Sequence, residues 1–279
     1  MPAPFLGSAS GLSRQQLRGL RYRRLSRDVY AFTPAAETLA LNVDALLTAL
    51  PDAVISHHTA ARLLGLPVDD DQLLHVTRTR SASVSERPGV RTHRVDLSAA
   101  DVHVLGGRPV TRPQRTFLDL AACLSPVSLV VLADAVTRRV GVAAVERRLA
   151  TASGARGVRR ARTALALADP LSDSPAETRT RLTLRGAGFT ELRHGIDVSD
   201  PYGGWLARPD LADRKAKIAI QYDGLIHLGD DPERRRADID RDELLRQDGW
   251  QVVVLTAVDL RRPDGMIAKV AAAYRRASR

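Results

Sequence analysis

Arg208-Pro209-Asp210-Leu211-Ala212 and Ile218-Ala219-Ile220-Gln221-Tyr222-Asp223-Gly224 decide how the last third of the chain is read. The basic segment Arg214-Lys215-Ala216-Lys217 lies between them, so the two runs read as the strands of a hairpin. Ten residues separate Asp210 from Gln221, a spacing that brings both to the same end of the paired strands. Gly224 then bends the chain, and His227 follows four residues after Asp223.

Upstream, Ser174 can cap a helix that has Pro175 at its first position and Glu177 at its third. The ordinary role of Glu177 is to close that capping box. The pattern also brings three carboxylates, Glu177, Asp210 and Asp223, toward one sheet end with the Gln221 amide and the His227 imidazole. Such a cluster is unfavourable without a cation, because like charges raise each other's pKa, and Mg²⁺ or Mn²⁺ resolves the conflict by taking oxygen ligands. A bound ion would activate water, with His227 or a carboxylate removing its proton. Downstream, Arg234, Asp238, Arg241 and Leu245 recur every three or four residues and so share one helix face. An Asp238–Arg241 pair is expected, either at the rim of the site with Arg241 available to a phosphate or facing solvent.

The order Glu177, Pro209-Asp210, then Gln221-Tyr222-Asp223-Gly224-Leu225-Ile226-His227 resembles the very-short-patch-repair endonuclease branch of the PD-(D/E)XK superfamily. It is nearest to a bacterial endonuclease-like domain that carries an Asp-Gly-x-x-His string. Asp238-Ile239-Asp240-Arg241, Leu245 and Gly249-Trp250-Gln251-Val252-Val253-Val254-Leu255-Thr256 extend the likeness through residues 172–279. The resemblance implies a restriction-endonuclease-like domain with a mixed sheet flanked by helices. It further implies a catalytic set of Asp210, Gln221, Asp223 and His227, with Glu177, Asp210 and Asp223 holding Mg²⁺ or Mn²⁺. Gln221 departs from the Glu common in that branch, and Asp223 stands where the wider superfamily has Lys. An amide oxygen coordinates without adding charge, so weaker metal binding is expected. Two readings therefore stand: a DNA endonuclease, and a non-enzymatic DNA-binding regulator on a degenerate nuclease fold.

At the other end, Ser13 caps a short helix through Gly19, and residues 21–32 alternate as a hairpin around a turn at Ser26 to Asp28. A helix plus a two-stranded wing is the outline of a winged helix. Arg14, Arg18, Arg21, Arg23 and Arg24 are its candidate phosphate contacts, or else a solvated face. Beyond it, helical periodicity runs from Glu37 to Leu50, and a short strand enters a helix at Ser56-His57-His58. With no Cys, Glu or Asp nearby at ligand spacing, the two histidines read as hydrogen-bonded helix-start residues rather than metal ligands. Strands are expected at residues 73–79, 90–95 and 102–105, and helices at 113–124, 127–138, 142–150 and 158–168.

Leu25-Ser26-Arg27-Asp28-Val29-Tyr30, Val54-Ile55-Ser56-His57 through Leu66, and Pro109-Val110-Thr111-Arg112-Pro113-Gln114-Arg115-Thr116-Phe117-Leu118-Asp119-Leu120 resemble the AbiEi-type abortive-infection antitoxins. That likeness implies a DNA-binding winged helix followed by an α/β body, with a toxin as a second candidate partner, and no chemistry of its own.

Composition supports a nucleic-acid partner. Of 279 residues 42 are Lys or Arg against 32 Asp or Glu, a net charge of +10 that favours polyanions. Aromatics are only 4% of the chain, too few for a surface built on stacked bases. The single cysteine, Cys123, excludes an intramolecular disulfide and a multi-cysteine zinc site, and within the apolar run 117–124 it reads as a core filler. No secretion signal and no uncharged apolar run of membrane-spanning length is visible, so a cytoplasmic protein without a membrane partner is expected. The expected class is α/β, with a winged-helix segment at residues 1–34, an α/β body at 35–168 and the nuclease-like domain at 172–279.

Overall fold

The structure is a computed structural model that describes residues 3–33, 35–82, 86–223 and 232–278, without the side chains of residues 232–235, 237 and 238. His227 and Gly224 lie outside the described residues. The fold is α/β. In chain order come β1 (Phe5–Leu6), α1 (Arg14–Leu17), β2 (Tyr22–Ser26), β3 (Val29–Phe32), α2 (Leu39–Ala49), β4 (Val54–Ile55) and α3 (His57–Leu63). Next are β5 (Leu74–Arg78), β6 (Val90–Arg94), β7 (Val102–Leu105), β8 (Arg108–Thr111), α4 (Pro113–Leu120) and α5 (Pro126–Val140). They are followed by α6 (Val142–Ala150), α7 (Val158–Ala166), α8 (Pro175–Gly186), β9 (Val198–Ser199), β10 (Trp205–Ala207) and β11 (Leu211–Asp213). β12 (Ile218–Asp223), α9 (Pro232–Gln247), β13 (Gln251–Thr256), α10 (Ala257–Arg261) and α11 (Pro263–Ala277) complete the chain. No helix among the described residues is long and apolar enough to cross a membrane.

The chain forms two compact units, Met1–Leu124 with Ala143–Thr163, and Ser125–Val142 with Ala164–Arg279. This division differs from the expected boundary at residues 169–171, because α5 belongs with the C-terminal unit. The reason is a buried carboxylate. Asp134 of α5, 2% exposed, accepts hydrogen bonds from the Asp169 N–H (2.7 Å), the Thr178 hydroxyl (2.7 Å) and the Arg181 guanidinium (2.9 Å). Leaving α5 elsewhere would strand that charge and its partners on α8.

In the C-terminal unit the sheet order is β11-β12-β13, antiparallel on one side of β12 and parallel on the other. Both faces are covered. Leu211, Ile218, Ile220, Val253 and Leu255 pack with Leu184 of α8 and with Met266, Val270 and Ala273 of α11. On the opposite face Ala212 and Ala219 pack with Leu245 of α9 and with Trp250, Val198 and Ala207. Gly249, at φ +84°, adopts the left-handed conformation that ends α9 and turns the chain into β13.

In the N-terminal unit β1-β3-β2 form a small sheet whose Ala31 packs with Ala35 and with Leu41 of α2, so the first 34 residues share a core with α2 and do not stand as a separate domain. A second sheet, β6-β5-β4-β8-β7, encloses Ile55, Val76 and Val110 against Val43 and Leu46 of α2 and Ala60 of α3. Cys123 is exposed, contrary to its reading as a core filler. It lies past the end of α4, where Phe117, Leu118, Leu120 and Ala121 have already taken the buried positions.

The string Pro113-Gln114-Arg115-Thr116-Phe117-Leu118-Asp119 builds a buried ion network. The Arg115 guanidinium donates to Asp119 (2.8 Å) and Asp101 (3.2 Å), and Arg148 of α6 donates to the other Asp101 oxygen (2.6 Å). Burial pushes the Asp119 carboxyl up to about 6 even though Arg115 pulls the other way. Replacing Arg115 with Ala leaves two buried carboxylates short of a partner and should destabilise the N-terminal unit by about 3–5 kcal/mol in urea unfolding. A loss below about 1 kcal/mol would show that the network does not hold this unit together.

Candidate functional site

Asp210 immediately precedes β11, and the register Leu211↔Ile220 places Gln221 across from it, as the hairpin spacing requires. The Asp210 carboxylate is fixed at the strand end by the Tyr222 backbone N–H, which donates to Oδ2 at 2.6 Å. β12 continues in register with β13 through Gln221↔Val254 and Asp223↔Thr256. Because strand side chains alternate, Gln221 and Asp223 share the side of Ala219, which packs on α9, whereas Tyr222 packs with the core on the other face.

Glu177 arrives from α8. Ser174 caps that helix, its hydroxyl accepting from the Glu177 N–H at 3.2 Å. The reciprocal bond goes one residue further back than in a standard capping box: the Glu177 carboxylate accepts from the Asp173 N–H at 2.8 Å. The capping role is thus real and leaves Glu177 only partly exposed beside the sheet end. His194, a residue that no motif or spacing singled out, lies beside it, with Nδ1 3.9 Å from Glu177 Oε2 and a buried Nε2 that has no hydrogen-bond partner. The backbone of Arg193 bonds in both directions to Ala212 and sets this histidine against β11. Its only sequence signal was a histidine in a loop otherwise rich in Gly and charge.

The electrostatics tie these parts together. Burial pushes the Asp210 carboxyl up to about 6, the Tyr222 N–H pulls it down, Glu177 and Asp173 push it further up, and Arg241 of α9 pulls it down. Glu177 and Arg241 thus lie near enough to Asp210 to act on its charge, and the strand register sets Gln221 across from it. Glu177, Asp210 and Asp223 are not among the described triplets whose ligand atoms lie within 4.8 Å of one another; those triplets are His57, His75 and His93, and His58, Asp71 and His75. His227 lies outside the described residues, as does the Asp238 side chain.

In the N-terminal unit Arg14, Arg18, Arg21 and Arg24 are exposed. Arg21 also lies over the Phe32 ring at 5.6 Å, and Arg24 bonds to the Ser26 carbonyl. Arg23 is engaged locally, with Glu37 at 3.5 Å and the Ala35 carbonyl at 3.3 Å.

Because the folded-state pKa of Asp210 lies above its ordinary 3.8, the native state holds the proton more tightly than the unfolded chain. Stability should therefore fall as pH rises from about 4 to about 6, and the deficit should persist above that window. Asp210→Asn is expected to raise Tm at pH 7.5 by the equivalent of about 2 kcal/mol or less, and to change it little at pH 4. The same shift at both pH values would show that the ionised carboxylate carries no penalty.

No family model matches the chain. It is similar to two curated relatives from Mycobacterium tuberculosis: Uncharacterized protein MT2308 from strain CDC 1551 / Oshkosh, and Uncharacterized protein Rv2248 from strain ATCC 25618 / H37Rv. Each is 28% identical over 221 residues, which cover 77% of this chain and 79% of the relative. Among solved structures, the crystal structure of RV2827C protein from Mycobacterium tuberculosis aligns with a TM-score of 0.45 at 17% identity, over 64% of this chain and 75% of that one.

Proposed function

We propose that the C-terminal unit hydrolyses a phosphodiester of nucleic acid, DNA ahead of RNA, with Mg²⁺ or Mn²⁺, and that the arginines at the start of the chain bind the same polymer. The observation that carries this reading is the Asp210 carboxylate held opposite Gln221, with Glu177 and Asp173 raising its pKa. The donor set suits a hard divalent cation. Asp210 and Glu177 offer carboxylate oxygens and Gln221 an amide oxygen, and a cation there would offset the repulsion of Glu177 and Asp173 that raises the Asp210 pKa. When bound, the ion lowers the pKa of water and polarises the phosphoryl oxygen. The chain's own residues do the rest: the Tyr222 N–H fixes Asp210, the Asp173 N–H fixes Glu177, and Arg241 supplies positive charge for a phosphate.

A second reading, a DNA-binding regulator or antitoxin with a toxin partner, is favoured by one observation. Gln221 leaves the strand pair one carboxylate short, and the described carboxylates do not close into a compact triplet.

Cleavage separates the two. Incubating the full chain with single-stranded, duplex and mismatched DNA and with RNA, with Mn²⁺ or EDTA, should give weak Mn²⁺-dependent cutting of DNA. Asp210→Ala should abolish it, and Gln221→Glu should lower the metal concentration required. Equal cutting by wild type and Asp210→Ala would sink the site assignment, and no cutting by any variant favours the regulator. For DNA binding, replacing Arg14, Arg18, Arg21 and Arg24 with Ala should flatten the log-log salt dependence by roughly 0.9 for each phosphate no longer neutralised. Arg23→Ala should change it less, since Glu37 and Ala35 already engage that side chain. An unchanged slope in the fourfold variant would mark these arginines as a solvated face.

A further inference from the structure

Four of the seven histidines gather at one place in the N-terminal unit, although they are far apart in sequence. Strands β5 and β6 run parallel with Thr77 opposite His93, so His75, two residues before Thr77, projects from the same face as His93. β4 pairs antiparallel with β5 and leads directly into α3, whose first two residues are His57 and His58. One ring nitrogen from each of His57, His75 and His93 lies within 4.8 Å of the others.

Hydrogen bonds assign the ring nitrogens. His75, 3% exposed, has Nε2 3.1 Å from Asp71 Oδ2, so Nε2–H donates to the carboxylate and the Nδ1 lone pair faces His93 Nε2 at 3.0 Å. His57 Nδ1 is engaged by the Ser56 hydroxyl at 3.0 Å, and that hydroxyl accepts from Thr77 at 2.8 Å, so Nε2 of His57 is the nitrogen left for a ligand. Tetrahedral ligands at the usual zinc–nitrogen distance stand roughly 3.3 Å apart, close to the His75–His93 separation. A carboxylate behind a ligating imidazole, as Asp71 is behind His75, is the usual support for such a ligand. His58 Nδ1 is buried without a hydrogen bond, 3.6 Å from the same Asp71 oxygen. His57 also has a left-handed backbone, φ +51°, a conformation that costs a non-glycine residue about 1 kcal/mol or more and tends to occur where a side chain is held for a purpose.

We propose that His57, His75 and His93, backed by Asp71, form a binding site for one transition-metal ion of the zinc class. All-imidazole donors suit zinc, cobalt, nickel or copper rather than magnesium, so this site and the acidic one would take different metals. The His57 and His93 rings are stacked at 3.5 Å and 10°, a contact compatible with neutral imidazoles. Seating the ion turns those two rings apart while His75 and Asp71 keep their places. The two triplets share His75 and so make one site rather than two.

The test uses the full chain without a histidine tag, dialysed against EDTA, then titrated with Zn²⁺ by calorimetry and with Co²⁺ by visible absorption. One ion per chain is expected, with the intense visible band of a tetrahedral cobalt centre. Asp71→Asn should weaken binding on the order of 10- to 100-fold through loss of the support behind His75. His93→Gln, on a half-buried strand position, should remove the cobalt band with the circular dichroism spectrum unchanged. Absence of saturable binding, or binding that survives both substitutions, would leave a metal-free histidine network and overturn the proposal.

Discussion

Strand β12 satisfies its backbone on both edges, antiparallel to β11 and parallel to β13, while α8 and α11 cover one face and α9 the other. That double pairing is the constraint on which the C-terminal unit depends. A one-residue slip of β12 would exchange its faces, burying Gln221 and turning Ile220 toward α9. It would also remove the Tyr222 N–H from Asp210 and dissolve the acidic cluster. The register thus sets the core and the site together.

Both units use buried aspartates as connectors. Asp134 joins α5 to α8, and Asp101 joins Arg115 of α4 to Arg148 of α6. Arg115, Arg148 and Arg181 are matched internally by Asp101, Asp119 and Asp134, three cations against three anions, so the net basic excess is carried by other residues. At β1-β3-β2 the Arg23 charge is offset by Glu37, whereas Arg21 and Arg24 are exposed.

Local chemistry made much of this legible in the sequence. The interval between Asp210 and Gln221, the Ser174 cap with Pro175 behind it, and the Gly249 stop before an apolar run each act over a few residues, and each appears where the spacing placed it. β8 was not legible because Pro109 interrupts a short run, and it is tolerated because β8 pairs with only a single residue of β4 beside its antiparallel partner β7. The helix membership of α5 depends on a carboxylate whose partners lie 35 to 47 positions later, which no periodicity records. The histidine cluster escaped for the same reason: His57, His75 and His93 meet only after β4, β5 and β6 have paired, and Asp71 was too distant in sequence to count as a neighbour.

The division of the chain has a consequence for its synthesis. The polypeptide passes from one unit to the other after Leu124, after Val142 and after Thr163, so neither unit is a continuous stretch. A ribosome releases α5 well before α8, and during that interval Asp134 has water for a partner in place of Thr178 and Arg181. The N-terminal unit likewise waits for residues 143–163 before Arg148 can reach Asp101. The N-terminal unit is complete once residue 163 has emerged, before most of the other unit exists, yet neither unit can be passed between genes as a single uninterrupted cassette.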